Sequence, residues 1–282
     1  MKNSCVLALF AALVCVESRL IDLSHKHGPD GIMSFQMPHY NWTELFKGDF
    51  QPGMYVKVGA YSTGEHGGTH MDVPAHFSPN GMSVDQIPLE MTIADGVMID
   101  CAYEASRNRS YLMPTQKILD WESVNGRIPD NSAVIVNFGW SQYYNSFEKF
   151  MGTKNDNIYE FNFPTLSKAA GDFLYEQRNI KIIGTDTASP DGFDASGLPI
   201  HMKYLPNNRL ILEELKDTGL LPPKGFRLHA SPVKFVGATG AQVRAFAIVS
   251  DTRDLECCMN GAVTTVSAFA LVLLSSAFVF LG

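Results

Sequence analysis

Three of the eight histidines of this 282-residue chain fall between residues 66 and 76, in His66-Gly67-Gly68-Thr69-His70-Met71-Asp72-Val73-Pro74-Ala75-His76. Gly67, Gly68 and Pro74 oppose a helix here. The segment is predicted instead to be a glycine turn entering a short strand. On a strand, His70 and Asp72 stand two apart and point to the same side, and His66 approaches that side from the turn. Two imidazoles and a carboxylate on one face suit Zn²⁺ or Mn²⁺, and Asp72 has two oxygens with which to bridge a second ion. Pro74 breaks the strand, so His76 can turn its imidazole toward the reacting water rather than the metal. Such an ion acidifies water and polarises a carbonyl, which is the chemistry of metal-assisted hydrolysis.

Other catalytic chemistries find less support. No G-x-S-x-G occurs, and Ser24 beside His25 lies at a strand start rather than in a nucleophile elbow. Cys101 has no catalytic signature around it. Asp186, Asp191 and Asp194 lack the order of ligands of a calcium loop and are predicted to form turns. His25, His27, His39 and His229 have no carboxylate at ligand spacing. Phe77 and Trp140, with Tyr143, are candidates for a substrate pocket, and core packing explains them equally well.

The elements that must hold the cluster are strand-rich. Met54 to Ala60, Val97 to Cys101, Ala133 to Phe138, Ile180 to Gly184 and Ala245 to Val249 have the apolar spacing of strands. Leu166 to Arg178, after Pro164, places Leu166, Ala169, Ala170, Phe173 and Leu174 on one helical face. Helices interrupt the strands irregularly, so the fold class is α/β with a mixed sheet. No repeat or linker divides the body, and one domain is expected over residues 19–256.

His66 to Phe77 resembles the signature of the metal-dependent cyclase family, which includes bacterial kynurenine formamidases and isatin hydrolases. The resemblance extends through Ile21-Asp22-Leu23-Ser24, Asn137-Phe138-Gly139-Trp140 and Ile183 to Pro190. It implies that His66, His70 and Asp72 are metal ligands, that Asp72 bridges when two ions are bound, and that His76 is the catalytic acid/base. His201 and Glu213 fall where it expects the distal ligands, with Glu214 a weaker choice than Glu213. It further implies a compact swivelling β/β/α domain with a partly barrel-like sheet, assembled as a homo-oligomer, that hydrolyses the carbon–nitrogen bond of an aryl formamide or cyclic amide. The family's formamidases carry an aromatic substrate contact near the N-terminus, and here Phe35 lies in that neighbourhood. The alternative is a non-catalytic cell-surface binding protein that keeps the metal-site fold.

Composition narrows the class. The chain is 45% hydrophobic and 18% charged, with a net charge of −7 and no basic run, so nothing supports a nucleic-acid partner. The five cysteines are not spaced as zinc knuckles. Much of the apolar content lies at the two ends. Residues 1–18 resemble a secretory signal. Residues 257–282 form a hydrophobic tail with no basic residue after it, which predicts a lipid anchor attached near Asn260 in preference to a membrane span. On that route Asn41 and Asn108, each in an N-x-S/T triplet, become glycosylation acceptors. The expected location is therefore the secretory pathway and the extracellular face of the cell membrane.

Overall fold

The computed structural model describes residues 18–33, 36–193 and 197–250. The body from Leu20 to Val249 is one compact unit. Its strands are β1 (Ser18–Asp22), β2 (Asn41–Gln51), β3 (Met54–Ser62), β4 (His70–Asp72), β5 (Ile93–Asp100), β6 (Leu112–Met113), β7 (Ala133–Asn137), β8 (Thr165–Leu166), β9 (Ile182–Thr185), β10 (Leu210–Glu213), β11 (Lys224–His229), β12 (Gly240–Gln242) and β13 (Phe246–Ser250). The helices are α1 (Ala102–Arg107), α2 (Thr115–Asn125), α3 (Phe147–Met151), α4 (Lys168–Arg178) and α5 (Pro199–Tyr204).

Nine strands form one sheet in the order β1-β13-β11-β5-β7-β9-β10-β4-β12. The central four run parallel, β5 to β7 to β9 to β10. β11 and β13 on one side and β4 and β12 on the other are antiparallel additions. The mixed direction expected from the irregular helix spacing is therefore observed. β7, Ala-Val-Ile-Val-Asn, is buried at every position, as a parallel strand covered on both faces requires.

The sheet curls. Ile21 of β1 and Ala241 of β12, from its two edges, share one core with Met98, Ile135, Leu212 and Leu228 from the strands between. A flat nine-stranded sheet would hold its edges far apart, so this common core makes the sheet a half-barrel. A second core on the opposite face packs Ile118, Phe150, Leu174 and Tyr204 of the helical layer against Val134 and Val136. Each large side chain fully buried there contributes roughly 1.5–3 kcal/mol.

The helix expected from residue 166 begins two residues later. Leu166 instead closes β8, and the Ser167 hydroxyl caps α4 by accepting the Ala170 N–H at 3.1 Å. Asn179 ends it in the left-handed region at φ 49°. The β2–β3 hairpin stands apart from both cores. It is exposed almost throughout, with Trp42, Phe46, Tyr55 and Tyr61 open to solvent.

Candidate metal centre

The site is assembled at the β4–β10 seam. His70 and Asp72 are the first and last residues of β4 and share a face, as expected. Glu213 pairs directly across the ladder from His70, and Gly240 of β12 lies opposite Asp72 on the other side. His66 enters from the preceding turn. Its ring occupies the space beside Gly240, where a Cβ would fall 2.4 Å from Cε1. His201 comes from α5. His76 ends a single 3-10 turn begun by Pro74, which directs it away from the strand.

These side chains converge on the Asp72 carboxylate. His66 Nδ1 is 2.6 Å from Oδ1, His70 Nε2 is 3.3 Å from Oδ1, and His201 Nε2 is 3.2 Å from Oδ2. Glu213 lies 3.4 Å from His70 Nε2 and 3.3 Å from His201 Nε2. Ligand atoms about 2.1 Å from a tetrahedral ion stand roughly 3.4 Å apart, so the His70, His201 and Glu213 spacings fit a shared cation. Among the described residues, two overlapping groups have the reach to hold one, His70 with Asp72 and Glu213, and His66 with Asp72 and His76.

Hydrogen bonds fix which nitrogen each ring presents. His70 Nδ1 is 2.8 Å from the Gly68 carbonyl, which can only accept, so Nδ1 carries the proton and Nε2 faces the site. His201 Nδ1 donates to Asp191 Oδ2 at 2.8 Å, which likewise frees Nε2. The Thr239 hydroxyl gives its proton to Glu65, so it accepts from His66 Nε2 at 2.9 Å. His66 Nδ1 then faces a carboxylate oxygen, and a proton or a metal cation must balance the pair. Buried His70 Nε2 and Glu213 Oε1 have no hydrogen-bond partner of their own. Orphaned ligand atoms at this spacing are what a cation site requires.

Electrostatics agree. Burial raises the Asp72 carboxyl, but the facing imidazoles of His66, His201 and His70 outweigh it and hold the group well below the usual range. For Glu213, burial and the Asp72 charge raise the carboxyl, and His201 with His70 reverse them. Burial opposes charge on His70 and His201. The facing carboxylates of Asp72 and Glu213, joined for His201 by Asp191, raise both well above ordinary histidine. The cluster thus attracts positive charge, as a proton or as an ion. His76 stands at the solvent edge. Burial of its inner side lowers it to about 4, against the opposing pull of the Asp72 and Glu213 carboxylates.

The ligand group opens into a pocket of about 280 Å³ walled by Met37, Phe77, Phe193 and Leu198. Phe77 sits 4.8 Å from His76 and 5.0 Å from His201, ring centre to ring centre. Trp140 does not line this pocket. It is 3% exposed and its indole N–H donates to Phe150 O at 2.9 Å, because the turn after β7 folds the ring into the core. Phe35 and Asn260 lie outside the described residues. Asn41 and Asn108 are exposed, and Asn108 Oδ1 accepts the Ser110 N–H at 3.0 Å in a local turn.

Residues 21–192 match the family model described as "Putative cyclase", more than half of the chain. The chain belongs to the cyclase family. It is 27% identical over 237 residues to the kynurenine formamidase of Salinibacter ruber, covering 83% of this chain and 99% of that one. It is also 27% identical over 195 residues to an isatin hydrolase of Roseibium aggregatum, covering 66% and 72%. Among solved structures, isatin hydrolase A from Labrenzia aggregata bound to benzyl benzoate superposes with a TM-score of 0.75 at 30% identity, over 83% of this chain and 94% of that one. The half-barrel is thus the cyclase-family fold.

These relatives correct the expected address. They are bacterial enzymes, and the formamidase aligns along 99% of its own length with 83% of this chain. Among the described residues no helix is long and apolar enough to cross a membrane. An extracellular membrane location is therefore not supported. Residues 1–17 and 251–282, on which that expectation rested, lie outside the described residues.

Several contributors escaped the sequence reading. Asp191 was expected only to form a turn, yet it is 1% exposed, caps α5 by accepting the Ile200 and His201 N–H groups at 2.9 Å, and orients the His201 ring. Thr239 and the Gly68 carbonyl act on His66 and His70 in the same way. Asp186 accepts the backbone N–H groups of Phe138 and Trp140 at 2.8 and 2.6 Å, which fixes the turn after β7, although burial raises its carboxyl to about 6.

Proposed function

We propose that this metal-dependent amide hydrolase cleaves the carbon–nitrogen bond of an aryl formamide or a cyclic aryl amide. One or two zinc or manganese ions would be held by His66, His70, Asp72, His201 and Glu213. The observation that carries the reading is the convergence of these five side chains beneath one pocket whose rim holds His76 and Phe77.

A bound divalent ion supplies Lewis acidity, polarising the amide carbonyl and acidifying the attacking water. The protein supplies the rest. His76 accepts the proton from the attacking water and returns it to the departing nitrogen, a transfer its exposed edge at the pocket mouth allows. Phe77 and Phe193 give an aryl ring an apolar wall. Asp191, Gly68 and Thr239 hold the imidazoles in one tautomer, so they need not reorient when substrate arrives.

A homo-oligomer fits the same reading. A two-stranded hairpin is marginal in water by itself, and β2–β3 presents apolar side chains on both faces, so a second copy is the proposed cover for it.

The test is turnover of N-formylkynurenine, isatin and simple aryl formamides by the purified chain, with metal content measured on the same sample. Stoichiometric metal and hydrolysis of at least one of these amides are expected. A chain that binds neither zinc nor manganese and turns over none of them would overturn the reading.

A further inference from the structure

We infer that Phe193 sets the length of substrate the enzyme accepts, as the partition between the catalytic pocket and a second, aromatic-lined pocket that a further aryl ring could enter only past it. This rests on the hydrolase reading above and narrows its substrate class.

Among the described residues, Phe193 is the one side chain that lines both pockets. On its inner side it walls the catalytic pocket with Phe77 and Leu198. On its outer side it closes a pocket of about 320 Å³ whose other walls include Leu112, Tyr159, Phe161 and Phe163. No Asp, Glu, Lys, Arg or His of the described residues lines that outer pocket, so it suits an uncharged ring.

The outer wall is held firmly and the partition rests against it. Asn162 lies between Phe161 and Phe163. Its N–H donates to Met151 O at 2.8 Å, its carbonyl accepts from Arg109 Nε at 2.6 Å, and its side-chain oxygen accepts the Ser110 hydroxyl at 2.9 Å. Both phenylalanines are thus fixed through the residue they flank. Phe193 meets them edge-on, with ring centres 5.8 Å from Phe161 and 6.1 Å from Phe163, separations that favour aromatic pairs. Beside its own backbone there is room. A Cβ on Gly192 would meet, outside its chain neighbours, only Thr165 Oγ1 within 4 Å, at 3.9 Å.

The consequence is a length limit. A single-ring amide is housed between Phe77 and Phe193, whereas a second ring must either displace Phe193 from its two partners or project into solvent. Either way little of the added apolar surface is buried to advantage. Removing the Phe193 ring joins the two pockets and leaves Phe161 and Phe163 in place, and an apolar slot of ring shape readily takes up an aryl group.

The experiment compares formanilide with its ortho-, meta- and para-phenyl derivatives. Metal-loaded wild-type protein should hydrolyse formanilide with a kcat/KM at least equal to that of each two-ring compound. Phe193→Ala should raise the two-ring to one-ring ratio of kcat/KM by about tenfold or more for at least one isomer, chiefly through KM. Leu112 is exposed and lines only the outer pocket, so Leu112→Trp fills that pocket without touching the catalytic one. Alone it should leave the wild-type ratio unchanged, and combined with Phe193→Ala it should return the ratio toward the wild-type value. If Phe193→Ala does not fold, Phe193→Leu with and without Leu112→Trp carries the same comparison with a smaller rise. A wild type that prefers a two-ring compound, a ratio that the Phe193 variants leave unchanged, or a rise that Leu112→Trp does not reverse overturns the inference. If wild type and variants hydrolyse none of the four, the hydrolase reading fails instead. Calorimetric affinities of the same four compounds for wild type, Phe193→Ala and the double variant then decide the inference, which an unchanged two-ring to one-ring affinity ratio would refute.

Discussion

His201 Nδ1 lies 2.8 Å from Asp191 Oδ2, and the same carboxylate receives the N–H of His201 itself at 2.9 Å. One buried acid thus sets both the ring and the backbone of the distal ligand. Asp191→Asn keeps most of the shape but loses the charge that makes the imidazole a better ligand. Metal affinity should fall by about 10–100-fold, measured by competition with a chromophoric chelator. Asp191→Ala additionally leaves buried N–H groups at the start of α5 without an acceptor, and denaturant unfolding should show a loss of about 1–3 kcal/mol.

His76 and His70 separate chemistry from metal binding. His76→Ala should retain the ion and lose about a hundredfold or more in turnover. His70→Ala and Asp72→Ala should lose the ion itself. Metal content measured beside activity distinguishes the two classes, and full activity in His76→Ala would remove it from the proton-transfer role.

Gly240 is the floor under His66. A methyl group there would stand 2.4 Å from the ring, so Gly240→Ala must push the imidazole off its position between Thr239 and Asp72. Overpacking of this kind costs about 1–3 kcal/mol. Activity should fall much further than stability, and a fully active, metal-replete Gly240→Ala would show that His66 has room to move.

His25 carries a pH signature. Burial, aided by Lys216, pushes it down to about 4 from an ordinary value near 6.5. Between those two values the unfolded chain binds a proton that the folded chain does not. Its contribution is therefore complete above pH 6.5, declines as pH falls toward 4 and is exhausted below that. His25→Gln should flatten the pH dependence of urea unfolding in this window by at most one proton's worth, about 1.4 kcal/mol per pH unit.

The hairpin supplies a last check. Replacing Phe46 and Tyr55, both exposed, with lysine should lower the particle mass measured by sedimentation if a second copy covers β2–β3. An unchanged mass would exclude the hairpin from that contact.

The site was legible in the sequence where it is local. His66, His70, Asp72 and His76 lie within eleven residues, and strand alternation with a proline break suffices to aim them. His201 and Glu213 came only from family resemblance, because nothing in their surroundings separates them from other polar residues. Asp191, Thr239 and the Gly68 carbonyl were invisible, since their roles exist only once distant strands meet. Trp140 shows the converse. Aromatic character suits a pocket and a core alike, and only the fold of the turn after β7 decides between them. β5, β7 and β9 were found because buried parallel strands are continuously apolar, whereas β10, equally central, was not singled out as a strand. β2 was missed because its exposed faces alternate charge and aromatic residues without a core to pattern them.

β4 has neighbours only in β10 and β12, both of which come about 140 residues or more after it in the chain. As the chain emerges during synthesis, the histidine-rich strand has nothing to pair with until nearly the whole body has been made. Closing so long a loop is slow relative to local contacts. High-affinity metal capture is therefore a late event in folding, and a chain stopped after residue 192 would carry the signature histidines without the centre they belong to.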